Sequence, residues 1–189
     1  ITSQRNIAII GAGIGGLAIS ACLRKLGTES TIYEQAAKFT RIGAGIQMTP
    51  NAMRVLNGIG VGDKIRAQAF EPPHFRSRDF DTGNLTNDHA LGPDALARYG
   101  VEYLLMHRGD LHAALYGAVP DETIRYGYKL TRMDQSNRGV ILEFENGETT
   151  AHDAVIASDG VHSPVRSWML GSEGAHFTER LAYRTAFPA

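Results

Sequence analysis

The chain has 189 residues, 43% hydrophobic and 21% charged, with a formal net charge of -1. That length allows one domain, or a domain and a half, with a sizeable core, and near-neutrality gives no broad pull towards nucleic acid or an anionic membrane. No apolar run reaches the ~18 residues that span a bilayer, the opening ITSQRN lacks a secretory pattern, and the single cysteine, Cys22, is expected as a small core residue with no disulfide partner, so a reducing cytoplasm is the expected compartment.

Residues 6–10, NIAII, are continuously apolar, as in a parallel strand covered on both faces. They run into GAGIGG and then LAISACLRKLG, a helix stopped by Gly27 with Arg24 and Lys25 in its last turn. STIYE, 30–34, is the next strand, so residues 1–34 form one βαβ unit. A Gly-rich loop, RIGAGIQ, precedes a helix over 49–60, with Thr49 as N-cap and Pro50 in the first helical position.

From residue 71 the texture changes. EPPHFRSRDFDTGNLT reads as a strand, an Asp-Thr-Gly turn and a return strand, with His74, Arg76 and Arg78 sharing one solvated face. LLMHRGDLHAALYGAV is again strand then helix, with Asp110 expected to cap a helix beginning at Leu111. Residues 124–135 and 139–158 alternate like strands, and Asn146-Gly147 marks a hairpin because both residues tolerate positive φ. DAVIASDG is expected as a buried strand ending in a turn, and SPVRSWML as a short helix capped by Ser163. The organisation is a doubly wound α/β core interrupted near 71–100 by an antiparallel insertion.

Gly11-Ala12-Gly13-Ile14-Gly15-Gly16 fits GxGxxG in its proper setting, after a strand and opening a helix. Gly11 permits the tight turn, Gly13 the approach of a pyrophosphate, and Gly16 close helix–strand packing, which leaves helix N–H groups for phosphate oxygens. Glu34, 18 residues after Gly16 at the end of the second strand, is placed to accept hydrogen bonds from ribose hydroxyls. Dinucleotide binding follows, though these residues do not separate NAD from FAD.

Three later segments do: RIGAGIQ, HRGDL (107–111) and DGVHSPVR (159–166), in that order. Together they resemble the FAD-dependent aromatic hydroxylases, the p-hydroxybenzoate hydroxylase-like monooxygenases, over essentially the whole chain. FTRIGAGI, SRDFDTGN and YGVEYLLMHRGDLH bring it nearest to the 6-hydroxynicotinate-type members and next to the salicylate-type members. The resemblance implies a Rossmann-like FAD-binding domain with a mixed-sheet substrate domain. It assigns 1–70 and 101–175 to FAD binding and 71–100 and 176–189 to the substrate domain, with Tyr183 and Arg184 starting a strand of the latter. Family members are about twice this length, so the residues are expected to be the N-terminal part of such a protein.

The resemblance also implies non-covalent FAD, NADH as co-substrate and O2 adding at the flavin C4a carbon, followed by oxygen transfer to a small aromatic or N-heteroaromatic acid. For 6-hydroxynicotinate this removes the carboxyl group and gives 2,5-dihydroxypyridine. The expected cofactor contacts are Gly11, Gly13, Gly15 and Gly16, with Glu34, Gln35 and Arg41 following, and then Gln47, Arg108, Leu130 and Asp159. Arg108 would reach the ribityl chain or pyrophosphate. Ser163 and Arg166 fit the family spacing, and serve equally well as a helix cap and a surface ion pair. The usual Gly-Ala-Asp-Gly lead-in here reads Ala157-Ser158-Asp159-Gly160.

Gln47 occupies the catalytic position at which the 6-hydroxynicotinate-type members carry a histidine regarded as the base. Glutamine donates and accepts hydrogen bonds but takes no proton at neutral pH. Either the chain deprotonates its substrate some other way, as many salicylate-type members carry glutamine there, or a histidine has been replaced in it, which would give a well-folded, slow enzyme that still holds substrate. The expected partners exclude nucleic acid and membrane and include a homodimer. Two competing readings remain: an NAD-dependent dehydrogenase, which would be colourless, and a flavin-binding fragment without catalysis.

Overall fold

A computed structural model describes residues 5–40, 43–171 and 176–182. Arg41, Tyr183 and Arg184 lie outside the described residues. The chain divides into two compact units, Ile1–Thr40 with Leu115–Ala189, and Arg41–Ala114.

The first unit opens with β1 (Ile7–Ile10), α1 (Ile14–Lys25) and β2 (Ser30–Glu34). All four β1 residues are buried, as the unbroken apolar run requires of a strand covered on both sides. Helix α1 ends in a Schellman motif: Gly27, at φ 75°, donates to Arg24 O at 3.0 Å, and Thr28 N donates to Leu23 O at 2.9 Å. Leu17 and Ala21 turn inward, but Cys22 is only half-buried, one step off the face that the helix presents to the sheet.

The second unit follows with β3 (Gly45–Met48), α2 (Pro50–Gly58), α3 (Gly62–Arg66), β4 (His74–Arg78), β5 (Leu85–Ala90), α4 (Pro93–Tyr99) and β6 (Leu104–His107). Antiparallel pairing joins β3 to β6 and β4 to β5. Thr49 stands at the N-cap of α2, yet its hydroxyl donates to Asn51 Oδ1 at 2.6 Å and caps no helix N–H. The expected face on β4 is exposed, and Asp88 on β5 meets two of its side chains, His74 Nδ1 at 2.6 Å and Arg76 Nε at 3.2 Å. The Asp-Thr-Gly turn forms around Asp79, whose Oδ1 accepts from Thr82 N at 2.8 Å, and this backbone hydrogen bond leads the causes that hold the carboxyl below its ordinary range.

Helix α5 (Arg108–Tyr116) crosses the division at 114/115. It begins three residues before Leu111 because His107 takes the capping role: its Nδ1 accepts from Gly109 N at 3.2 Å. Asp110 is therefore in the first turn, where its charge favours the helix dipole.

Back in the first unit, β7 (Ile124–Tyr126), β8 (Leu130–Ser136), β9 (Gly139–Phe144), β10 (Thr149–His152), β11 (Ala154–Ala157) and α6 (Pro164–Leu170) complete the chain order. A parallel sheet runs β11-β1-β2-β7, and an antiparallel sheet runs β10-β9-β8. The hairpin at Asn146-Gly147 joins β9 and β10, with Gly147 at φ 86°. Helix α1 packs on β1 and β2. Ala8, Ile10 and Tyr33 cluster with Leu130, Val140, Leu142 and Phe144 of the antiparallel sheet, so one parallel-sheet face is covered by strands where a second helix layer was expected. Each fully buried Leu or Ile here, such as Ile9, Leu17, Ile32 and Leu142, contributes roughly 1.5–3 kcal/mol of burial. β11 is half-buried, consistent with its place at the sheet edge.

Candidate functional site

The turn at Gly11–Gly16 joins β1 to α1 in the first unit. Gly11 has φ 100°, and its N–H donates to Tyr33 O at 2.8 Å. A Cβ there would lie 2.5 Å from Ser158 O, so both backbone angle and space demand glycine. A Cβ on Gly16 would overlap Gly11 O and press on Ile9 Cγ2, which is the close helix–strand contact expected of that position. Around a Cβ on Gly13, by contrast, there is nothing within 4 Å. Gly13 is the N-cap of α1, offers no capping side chain, and is followed by a first turn with no acidic residue. The turn is tight on its protein side and open on the other, with helix N–H groups at the open end. Those features fit a dinucleotide pyrophosphate.

Glu34 does more than the sequence suggested. Its Oε2 accepts from Ala12 N at 2.7 Å and its Oε1 from Ala36 N at 2.8 Å, so the carboxylate braces the glycine turn. Each oxygen keeps a second lone pair, which leaves it able to accept from a ribose hydroxyl. Gln35 follows on the exposed turn after β2, whereas the side chain of Leu130 belongs to the core.

Asp159 stands just beyond β11, at the carboxyl edge of the parallel sheet. Its Cα would be 3.4 Å from a Cβ on Gly11, so the DG segment adjoins the glycine turn. Asp159 Oδ2 accepts from Val165 N at 3.2 Å, Ser163 Oγ from Arg166 N at 2.9 Å, and Arg166 Nη2 donates to Val161 O at 2.8 Å. Ser163 is thus the expected helix cap, and Arg166 stitches its own loop.

Sequence reading missed Tyr126. It pairs with Glu34 across β7 and β2. Its hydroxyl is fully buried, beside the Tyr116 phenol. Burial, followed by the neighbouring Tyr116 phenol, pushes it up to about 12. Only the β2–β7 pairing places it beside Glu34, since three-residue β7 carries no sequence signal of its own.

In the second unit, Gln47 is exposed on β3, opposite Leu105 of β6. The expected loop is a strand because β6 supplies the hydrogen-bonding partner. Arg108 N donates to Ala44 O at 2.8 Å, and a Cβ on Gly43 would lie 2.6 Å from Arg108 Cβ, so Gly43 lets the β3 lead-in meet the start of α5. Gln47 opens on a cleft of about 1260 Å³, whose walls include Asn51, Phe75, His89, Arg98 and Tyr103. Burial raises the Tyr103 phenol above its ordinary value. Among the described residues no group of His, Cys, Asp and Glu could hold a metal ion, and no helix is long and apolar enough to cross a membrane.

Comparison with known proteins agrees with this geometry. The family model described as FAD binding domain matches residues 4–180. The 6-hydroxynicotinate 3-monooxygenase of Pseudomonas fluorescens is 41% identical over 188 residues, covering 100% of this chain and 49% of that protein. The 3-amino-4-hydroxybenzoate 2-monooxygenase PtnB3 of Streptomyces platensis is 35% identical over 170 residues, 90% of this chain and 43% of that protein. The crystal structure of Klebsiella pneumoniae HpxO complexed with FAD and uric acid superposes with a TM-score of 0.76 at 28% identity, covering 89% of this chain and 42% of that one. The chain thus spans about half the length of the curated relatives it matches. An α/β fold with a glycine turn open to a pyrophosphate, matched almost end to end by one family model, leads to one conclusion: the chain belongs to the FAD binding domain family of the p-hydroxybenzoate hydroxylase-like flavoproteins.

Proposed function

We propose that this protein is an FAD-dependent monooxygenase that uses NADH and O2 to hydroxylate a small aromatic or N-heteroaromatic acid. The reading best supported is decarboxylative 3-hydroxylation of 6-hydroxynicotinate to 2,5-dihydroxypyridine. One observation carries it: a turn fitted to a dinucleotide, in a chain 41% identical throughout to a 6-hydroxynicotinate 3-monooxygenase. Bound FAD would supply the redox chemistry, taking hydride from NADH and activating O2.

The residues' proposed tasks follow from their chemistry. Gly11, Gly13, Gly15 and Gly16 cradle the pyrophosphate, and Glu34 and Gln35 hold the adenosine end. Arg41, Arg108 and Asp159 serve the phosphates and ribityl chain, and Leu130 contributes through its backbone. Gln47 orients the substrate by donating and accepting hydrogen bonds, without moving a proton. Residues 1–70 and 101–175 would serve the cofactor, and 71–100 and 176–189 the substrate. Gln47 is also the observation favouring a second reading, a salicylate-type hydroxylase, since many members of that type carry glutamine where the 6-hydroxynicotinate type carries a histidine.

The test is the visible spectrum of the purified protein, then NADH and O2 consumption with 6-hydroxynicotinate, salicylate and p-hydroxybenzoate. Flavin absorbance and strongest stimulation by 6-hydroxynicotinate are expected. A colourless protein that takes up no FAD defeats the proposal. A yellow protein whose NADH oxidation no aromatic acid stimulates leaves only cofactor binding.

A further inference from the structure

His152 is a buried imidazole for which the proposed reaction has no use. It sits at the end of β10 with 6% of its surface exposed. Nδ1 lies 3.0 Å from Asn6 Oδ1, and Nε2 lies 3.1 Å from the Tyr33 hydroxyl and 3.0 Å from Thr150 Oγ1. The Asn6 amide is oriented by its own Nδ2, which donates to Ala151 O at 3.0 Å. Its Oδ1 therefore faces the imidazole as an acceptor, and the network assigns the hydrogen to Nδ1. That leaves Nε2 as a lone pair to which a hydroxyl donates.

Tyr33 links this imidazole to the nucleotide turn. Its ring stacks on Phe144 at 4.7 Å and tilts against Tyr128 at 5.3 Å. Its carbonyl receives the Gly11 N–H at 2.8 Å, and the next residue, Glu34, receives the Ala12 N–H at 2.7 Å. Beyond its pairing with β1 and β7, the end of β2 that shapes the turn is held by the Tyr33 side chain, whose hydroxyl meets His152.

We infer that His152 is a positioning residue for FAD: its neutral Nε2, by accepting the Tyr33 hydroxyl hydrogen, fixes the β2 end on which the glycine turn rests, and protonation of Nε2 releases that hold. The inference rests on the FAD reading above. A proton on Nε2 would force both hydroxyls to turn their lone pairs to the ring. The Tyr33 hydrogen would then lose its acceptor inside the core, a costly loss.

The groups facing the imidazole are Asn6 from the β1 lead-in, Tyr33 from β2, Thr150 from β10 and, beside it, Asp153. Asp153 is the charged one among these described residues, and its Oδ2 accepts the Asn6 N–H at 2.7 Å. Burial holds His152 below the ordinary imidazole range, against the opposing pull of Asp153. A depressed value means that the neutral form belongs to the folded state. The anchor is therefore complete above the ordinary imidazole value of about 6.5 and fails as pH falls through the lower folded value.

The experiment is the FAD dissociation constant of the protein, read by flavin fluorescence between about pH 8 and about pH 5. Wild type, His152→Gln and Tyr33→Phe are compared, each with its Tm at both ends. Wild type should weaken roughly five- to tenfold more than His152→Gln across the range. His152→Gln places a non-titrating acceptor where Nε2 was, so it should match wild type at high pH within about twofold. Tyr33→Phe should be weaker at high pH and lack the excess pH dependence. An equal fall in wild type and His152→Gln, or a falling wild-type Tm with a flat dissociation constant, overturns the inference. A wild type that binds no FAD near pH 8 overturns the cofactor reading and this inference with it.

Discussion

Gln47 shows what one side chain can and cannot do. On β3 it faces a cleft whose walls mix rings, Phe75 and Tyr103, with hydrogen-bonding groups, Asn51 and His89. A primary amide there can orient a ring hydroxyl or carboxylate, but it has no proton affinity at neutral pH. Gln47→His would install a base with an ordinary value of about 6.5. The expected result is a higher kcat that gains an imidazole-like limb in its pH profile, while FAD affinity stays within about twofold. Superimposable kcat–pH curves for the two forms would place Gln47 away from the reacting ring. Glu34 makes the complementary point: read from sequence as a ribose acceptor, it also braces Ala12 and Ala36. Its loss would therefore disturb the turn as well as any ligand.

Elements that declare themselves locally were legible, and those made by distant partners were not. β1, α1 and β2 follow from an apolar run, a helical pattern with a Schellman end, and a second short strand. The Asn146-Gly147 and Asp-Thr-Gly turns carry their own chemistry. β3 was hidden because Gly43, Ala44 and Gly45 are poor strand formers, and only β6 makes that segment extended. α3 and α4 are five and seven residues long, too short for helical periodicity to stand out. The cofactor turn was legible for the same local reason, whereas Ser158 reaches it only through the pairing of β11 with β1. The antiparallel sheet shows how much such pairing matters: Leu142, fully buried on β9, packs in the cluster that also holds Tyr33. Leu142→Ala should cost about 2–5 kcal/mol, read as a lower denaturant midpoint with an unchanged slope. A loss below about 1 kcal/mol would mean that this sheet covers β1 and β2 only loosely.

At the scale of the whole molecule, the division into two units makes ligand linkage a way to locate the pyrophosphate. A ligand that binds only folded protein stabilises it by about 2.7 kcal/mol at a hundredfold excess over its dissociation constant. For a chain of this size that is a Tm shift of roughly 5–10 °C. Adenosine diphosphate carries the half of FAD that the glycine turn is shaped to hold, and riboflavin carries none of it. The turn lies wholly within Ile1–Thr40 and Leu115–Ala189. Adenosine diphosphate should therefore raise the unfolding transition of that unit, while riboflavin leaves it in place. Gly13→Ala supplies the control, because its backbone lies at φ -72° and the added methyl meets nothing within 4 Å. The ligand-free Tm should then change by no more than the equivalent of about 1 kcal/mol, while the response to adenosine diphosphate disappears because the methyl occupies the space meant for phosphate. A Gly13→Ala protein that still responds fully would move the phosphates elsewhere, and the open face of the turn would need another occupant.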